Sequence, residues 1–69
     1  MTLEEYRFQC GWSKNEMCRQ ARVDFKVLQK ALAGEEITDN TANKLARAIS
    51  KALGQTVHWQ QIEGLNVKV

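Results

Sequence analysis

The sequence predicts an all-α fold: a compact domain of five short helices with a short C-terminal tail. Three observations carry that expectation. Apolar residues recur at helical spacing in five separate segments, joined by connections of two to five residues. Each of the four glycines falls just past one of those segments, where a left-handed residue ends a helix. Proline is absent, so nothing breaks the helical runs from within.

In chain order, Leu3, Tyr6 and Cys10 stand at i, i+3 and i+7 and predict a first helix stopping at Gly11. Ser13 precedes a second run, with Glu16 three residues on. That spacing predicts a capping box, in which the serine side chain accepts from the residue 16 amide and Glu16 reaches back to the serine amide. Met17, Cys18 and Ala21 form the buried side. Asp24 suits the N-cap of a third helix, since its carboxylate complements the positive helix end. On that helix Leu28, Leu32, Ala31 and Phe25 cluster on one side, while Lys26, Lys30, Gln29 and Ala33 point the other way, before Gly34. Thr38 or Asp39 caps a fourth helix, whose stripe of Ala42, Leu45, Ala46, Ile49 and Leu53 ends at Gly54. Thr56 caps a fifth, carrying Trp59 and Ile62 and closed by Gly64. The tail, residues 65–69, alternates apolar and polar side chains as a strand does; Leu65, Val67 and Val69 are placed to pair with the same segment of a second copy, and a frayed terminus is the plain alternative.

Length and composition narrow the function. A chain of 69 residues with 43% hydrophobic content suits one small core and leaves little room for an enclosed active site. No apolar run approaches the roughly 18 residues of a membrane span, and "MTLEEYRF" lacks a basic-then-apolar leader pattern, so a cytoplasmic location is expected. Cys10, Cys18 and His58 are too few, and wrongly spaced, for a four-ligand zinc site. No nucleophile–base or paired-carboxylate constellation occurs. Neither an enzyme nor a cofactor is expected.

The net charge of +2 decides little, but its distribution is informative. Residues 13–34 hold Lys14, Arg19, Arg22, Lys26 and Lys30 against Glu16 and Asp24. Residues 42–54 add Lys44, Arg47 and Lys51 with no acid, and Glu35, Glu36 and Asp39 gather between the two blocks. This is a basic surface interrupted by an acidic turn. Helices at 14–21 and 24–33, linked by Arg22 and Val23 alone, must cross steeply instead of lying antiparallel, which is the arrangement of a helix-turn-helix.

With that motif in place, the chain resembles the lambda-repressor-like, Cro/CI-type (XRE-like) helix-turn-helix domains. The resemblance runs without a gap through "LEEYRFQCGWSKNEMCRQARVDFKVLQKALAG" and with looser spacing through "ITDNTANKLARAISKALGQTVHWQQIEG". Gly11, the Ser13 cap, the Met17-Cys18 pair where the family commonly has Leu-Ala, Val23, Leu28 and Gly34 all fall in register. The resemblance implies a DNA-binding domain over 1–64, with its helix-turn-helix at 14–33. Three departures stand out. Arg22 occupies a turn position where the family often has glycine, and a left-handed conformation there costs on the order of 1 kcal/mol. Leu32 stands where many repressors carry a glutamate paired with the arginine aligned to Arg7, which leaves Arg7 to meet Glu35, Glu36 or solvent. Glu35 and Glu36 replace residues that are frequently basic. The "KALAG" ending is also similar to addiction-module antitoxins, which bind both operator DNA and a protein partner.

By position in the family motif, Phe25, Lys26, Gln29 and Lys30 face DNA bases. Lysine donates to guanine O6 or N7, glutamine pairs with an adenine edge, and phenylalanine touches a thymine methyl. Phe25 borders the core on the helical wheel, so packing is its other role. The resemblance also implies a phosphate contact for Lys14, at the start of the second helix; Asn40, Thr41 and Asn43 at the start of the fourth are candidates for the same role, with helix capping the stronger reading for these three. Lys44, Arg47 and Lys51 either extend this footprint or only solvate the fourth helix. The resemblance implies a small Cro-like transcriptional repressor of a phage or mobile element. It would be nucleoid-associated and act as a homodimer on double-stranded DNA. The alternative is an antitoxin-like or adaptor protein that uses the same fold to bind a protein partner.

Overall fold

The computed structural model describes residues 1–68. The chain forms four α-helices, α1 (Leu3–Cys10), α2 (Lys14–Ala21), α3 (Phe25–Leu32) and α4 (Asp39–Leu53). Two strands, β1 (Glu36–Thr38) and β2 (Asn66–Lys68), and a single 3₁₀ turn at Trp59–Gln61 complete it. The five-helix all-α expectation is therefore corrected in two places. The segment after Gly54 does not make a fifth α-helix, and a small parallel sheet is present.

The first correction has a geometric cause. Val57 and Ile62 both enter the core, at 6% and 4% exposure. Five residues apart on an α-helix they would point about 140° away from each other, so a helix could not bury both. A 3₁₀ turn between extended residues can. Ser50 fixes its start: the Ser50 hydroxyl accepts from the Val57 amide at 2.8 Å and lies within reach of the Ala46 and Val57 carbonyls, at 2.8 and 3.0 Å.

The second correction concerns the acidic turn. Ile37 is buried between exposed Glu36 and Thr38, the alternation of a strand with one covered face. β1 pairs in parallel with β2, matching Glu36 to Asn66, Ile37 to Val67 and Thr38 to Lys68. The tail pairs within the chain, through Val67, with β1; Val69 lies outside the described residues. Just before β2, Glu63 bridges to Thr2 and donates its amide to the Met1 carbonyl at 2.9 Å. The segment 63–68 thus runs along the start of α1 and then along β1.

Local signals explain the helix ends. Thr2 and Glu5 form a full capping box on α1: the Glu5 amide donates to Thr2 Oγ1 at 3.2 Å, and the Thr2 amide to Glu5 Oε1 at 2.8 Å. On α2 only half of the expected box exists. Ser13 Oγ accepts from the Glu16 amide at 3.1 Å, while the Glu16 carboxylate takes Gln20 Nε2 at 2.7 Å and Arg19 at 3.2 Å. Thr38, not Asp39, caps α4 by accepting from the Thr41 amide at 3.3 Å. Arg7 meets neither Glu35 nor Glu36: it is half-buried, pairs with Glu4 and donates to the Trp12 carbonyl at 2.8 Å.

Met17, Leu28, Leu45 and Ile49 are fully enclosed at the centre. α4 carries two of them and packs against α1, α2, both strands and the 3₁₀ turn. Trp12 and Trp59 are half-buried against the same cluster, with Cys10 and Cys18. No helix among the described residues is long and apolar enough to cross a membrane.

Candidate nucleic-acid interface

The surface of interest follows from how α3 is held. At the end of α2, Arg22 takes the left-handed conformation (φ 57°, ψ 48°), the one non-glycine residue to do so among those described. Its amide donates to the Cys18 carbonyl, as does that of Val23 at 3.1 Å. The chain turns sharply and α3 starts after three residues, Arg22, Val23 and Asp24. Asp24 has the extended backbone of an N-cap but makes no side-chain cap bond, contrary to expectation. Its charge acts instead on Cys18, whose thiol is pushed up by burial first and by Asp24 second.

α3 buries Leu28 and Ala31 and half-buries Val27 and Leu32. The opposite face is free. Lys26, Gln29 and Lys30 are exposed, and Phe25, at 40% exposure, lies on the surface side instead of in the core. At about 100° per residue Lys26 sits at the middle of this face, with Gln29 about 60° to one side and Lys30 about 40° to the other.

Each edge of the face opens into a shallow depression. On the Gln29 side, Gln29, Leu32 and Ala33 share one with Lys14 and Glu4. Glu4 is engaged by Arg7, which holds its carboxyl below the ordinary range, so Lys14 keeps an unpaired ammonium beside Gln29. On the Lys30 side, Val27 and Lys30 share a depression with Glu36, Thr41 and Lys68. None of the ion pairs among the described residues uses Lys14, Lys26, Lys30 or Lys68.

The structure therefore brings together Phe25, Lys26, Gln29 and Lys30, with Lys14 on one flank and Thr41 on the other. Asn40 is exposed in the first turn of α4. Asn43 lines a different groove, with Arg47, Lys51 and His58, away from the α3 depressions. Lys51 also borders a depression with Trp12, Arg19 and Arg22. Sequence reasoning missed Lys68, because only the parallel pairing of β1 with β2 carries it beside Lys30.

Chemically the face presents hydrogen-bond donors and one aromatic ring, suited to base edges and phosphate oxygens. Burial also pushes up the Cys10 thiol, the direction opposite to activation of a nucleophile. No group of three or more metal-ligating side chains occurs among the described residues. Comparisons with known protein families, curated proteins and solved structures give no match to this chain.

Proposed function

We propose that this chain is a sequence-specific, double-stranded-DNA-binding transcriptional regulator, a small Cro-like repressor of the lambda-repressor-like kind. α2 and α3 act as its helix-turn-helix. The observation that carries the reading is the free face of α3. A helix that commits Leu28 and Ala31 to the core leaves Phe25, Lys26, Gln29 and Lys30 outward, and it follows α2 after a tight left-handed turn. Such a helix enters the major groove with its N-terminal residues at base edges. Lys26 and Lys30 donate to guanine, Gln29 pairs with adenine, and Phe25 packs on a thymine methyl. Lys14 and Thr41 hold phosphates at the two edges. One recognition helix reads about half a site, so the protein acts as a homodimer on a two-fold operator with half-sites one helical turn apart. It works in the cytoplasm, on the nucleoid.

The test is binding to a site selected from a random DNA pool. Lys26→Ala or Lys30→Ala costs about 1–3 kcal/mol there and relaxes preference at one base pair, with the fold intact. Lys51→Ala, on another surface, is the control. Equal effects for all three substitutions would reduce the α3 lysines to an ordinary solvated face.

One observation favours a second reading, an antitoxin-like or adaptor protein with a protein partner. Phe8 is 67% exposed on α1, with the Arg7 guanidinium 4.6 Å from its ring centre. Retention on duplex DNA separates the two. Binding that weakens steeply with salt supports the regulator, and no retention at low salt supports the adaptor.

A further inference from the structure

We infer that Lys68, carried on β2, grips the second phosphate backbone of the groove that α3 enters, opposite the one held by Lys14. This rests on the DNA-binding reading above and names a contact surface that the helix-turn-helix does not itself contain.

The argument starts from the shape of the target. A major groove about 12 Å wide is bordered by two phosphodiester backbones, so a helix lying in it has phosphates along both of its exposed edges. The two edges of the α3 face are equipped by different parts of the chain. On the Gln29 edge the cation is Lys14, from the start of α2. On the Lys30 edge it is Lys68, from the far end of the described chain, in a depression shared with Lys30 and Thr41. Those edges, centred near Gln29 and near Val27–Lys30, are well over 90° apart on the helix at about 100° per residue. Lys14 and Lys68 therefore cannot serve the same backbone.

The pocket around Lys68 has the donors that a phosphate oxygen needs. Glu36, Thr38, Asn66 and Lys68 occupy the exposed face of the sheet, while Ile37 and Val67 turn inward. The Thr38 hydroxyl accepts from the Thr41 amide and donates to Thr41 Oγ1 at 3.0 Å. Thr41 thus keeps its own hydroxyl proton for an outside acceptor. Lys30 and Lys68 set two ammonium groups against the single carboxylate of Glu36, so the depression stays net positive. Register supplies the rest, because pairing Thr38 with Lys68 places this lysine beside the start of α4.

The experiment uses the full chain on a random-sequence duplex over a salt series, then on the best duplex selected from a random pool. Lys68→Ala and Lys14→Ala each lower the slope of log affinity against log salt by about one, and the double variant lowers it by about two. Between 50 and 200 mM salt the penalty for Lys68→Ala shrinks about 3.5-fold. Lys68→Arg retains the wild-type slope, and circular dichroism melts confirm that each variant is folded. Neutral methylphosphonates placed in one strand of a half-site abolish the Lys68→Ala effect, and in the other strand the Lys14→Ala effect. A folded Lys68→Ala protein with the wild-type slope overturns the inference while leaving the regulator reading standing. So does loss of both effects through the same strand. Absence of any salt-dependent binding by the wild-type chain overturns both.

Discussion

Replacing Arg22 by glycine should stabilise this protein, although it deletes a long side chain. Arg22 ends α2 at φ 57° and ψ 48°, where the β-carbon of an L-residue crowds the following carbonyl. That conformation costs about 1–2 kcal/mol. Glycine escapes it but gains freedom in the unfolded chain, a loss to the folded state of roughly 0.5–1 kcal/mol. The difference favours the variant by about 0.5–1 kcal/mol. Little opposes it, since the Arg22 side chain is exposed and enters none of the ion pairs among the described residues. Removing it also relieves repulsion in the depression it shares with Arg19 and Lys51. For a domain of this size the gain appears as a rise of roughly 2–8 °C in Tm. Urea unfolding of wild type, Arg22→Gly and Arg22→Ala measures it. The alanine variant keeps the β-carbon and stays within about 0.5 kcal/mol of wild type. Should glycine prove no more stable than alanine at this position, the left-handed turn is not a source of strain.

Leu45 is fully enclosed, so Leu45→Ala costs about 2–5 kcal/mol. A domain of 69 residues holds only about 3.5–10 kcal/mol in total, so a urea transition that barely moves would refute the buried face of α4. Truncation after Gly64 deletes β2 together with half-buried Leu65 and Val67 and uncovers the part of the core they pack against, for a loss of about 2 kcal/mol. An unchanged melt would mean that the strands do not pair in solution. Arg7 lowers the pKa of Glu4, so over that window the unfolded state binds more protons than the folded one. The resulting stability is present above the ordinary carboxylate range and is lost as pH falls below it. Glu4→Gln therefore flattens the acid side of the stability–pH curve, and an unaltered curve would count against the pair.

Much of the helical frame is legible in the sequence, because its signals are local. Gly11, Gly34 and Gly54 each follow a helix, as their positions imply, and Leu28, Leu45 and Ile49 are buried together. What escapes a linear reading depends on distant partners. Glu36–Thr38 is too short for periodicity to speak, and it becomes a strand only because Asn66–Lys68 arrives beside it. The turn at Trp59–Gln61 follows from where Val57 and Ile62 must go, which no propensity expresses. Asp24 and Glu16 have the right chemistry for caps, yet neither carboxylate caps its helix; Glu16 is taken by Gln20 and Arg19. On the α3 face, Lys26, Gln29 and Lys30 could be read from spacing. Lys68 could not, because its place is set across the fold.

The parallel sheet also divides the molecule by how readily its parts open. Each strand is three residues long, and the strands meet only after the chain has gone through α4 and the 3₁₀ turn. Short parallel ladders are weak, and here the pairing closes a long loop, whereas Leu28, Leu45 and Ile49 sit in a shared interior. Amide hydrogens shared between β1 and β2 should therefore exchange with solvent through brief local openings, well before those in the middle of α4, which wait for global unfolding. In such an opening the helices stay assembled while the last strand detaches.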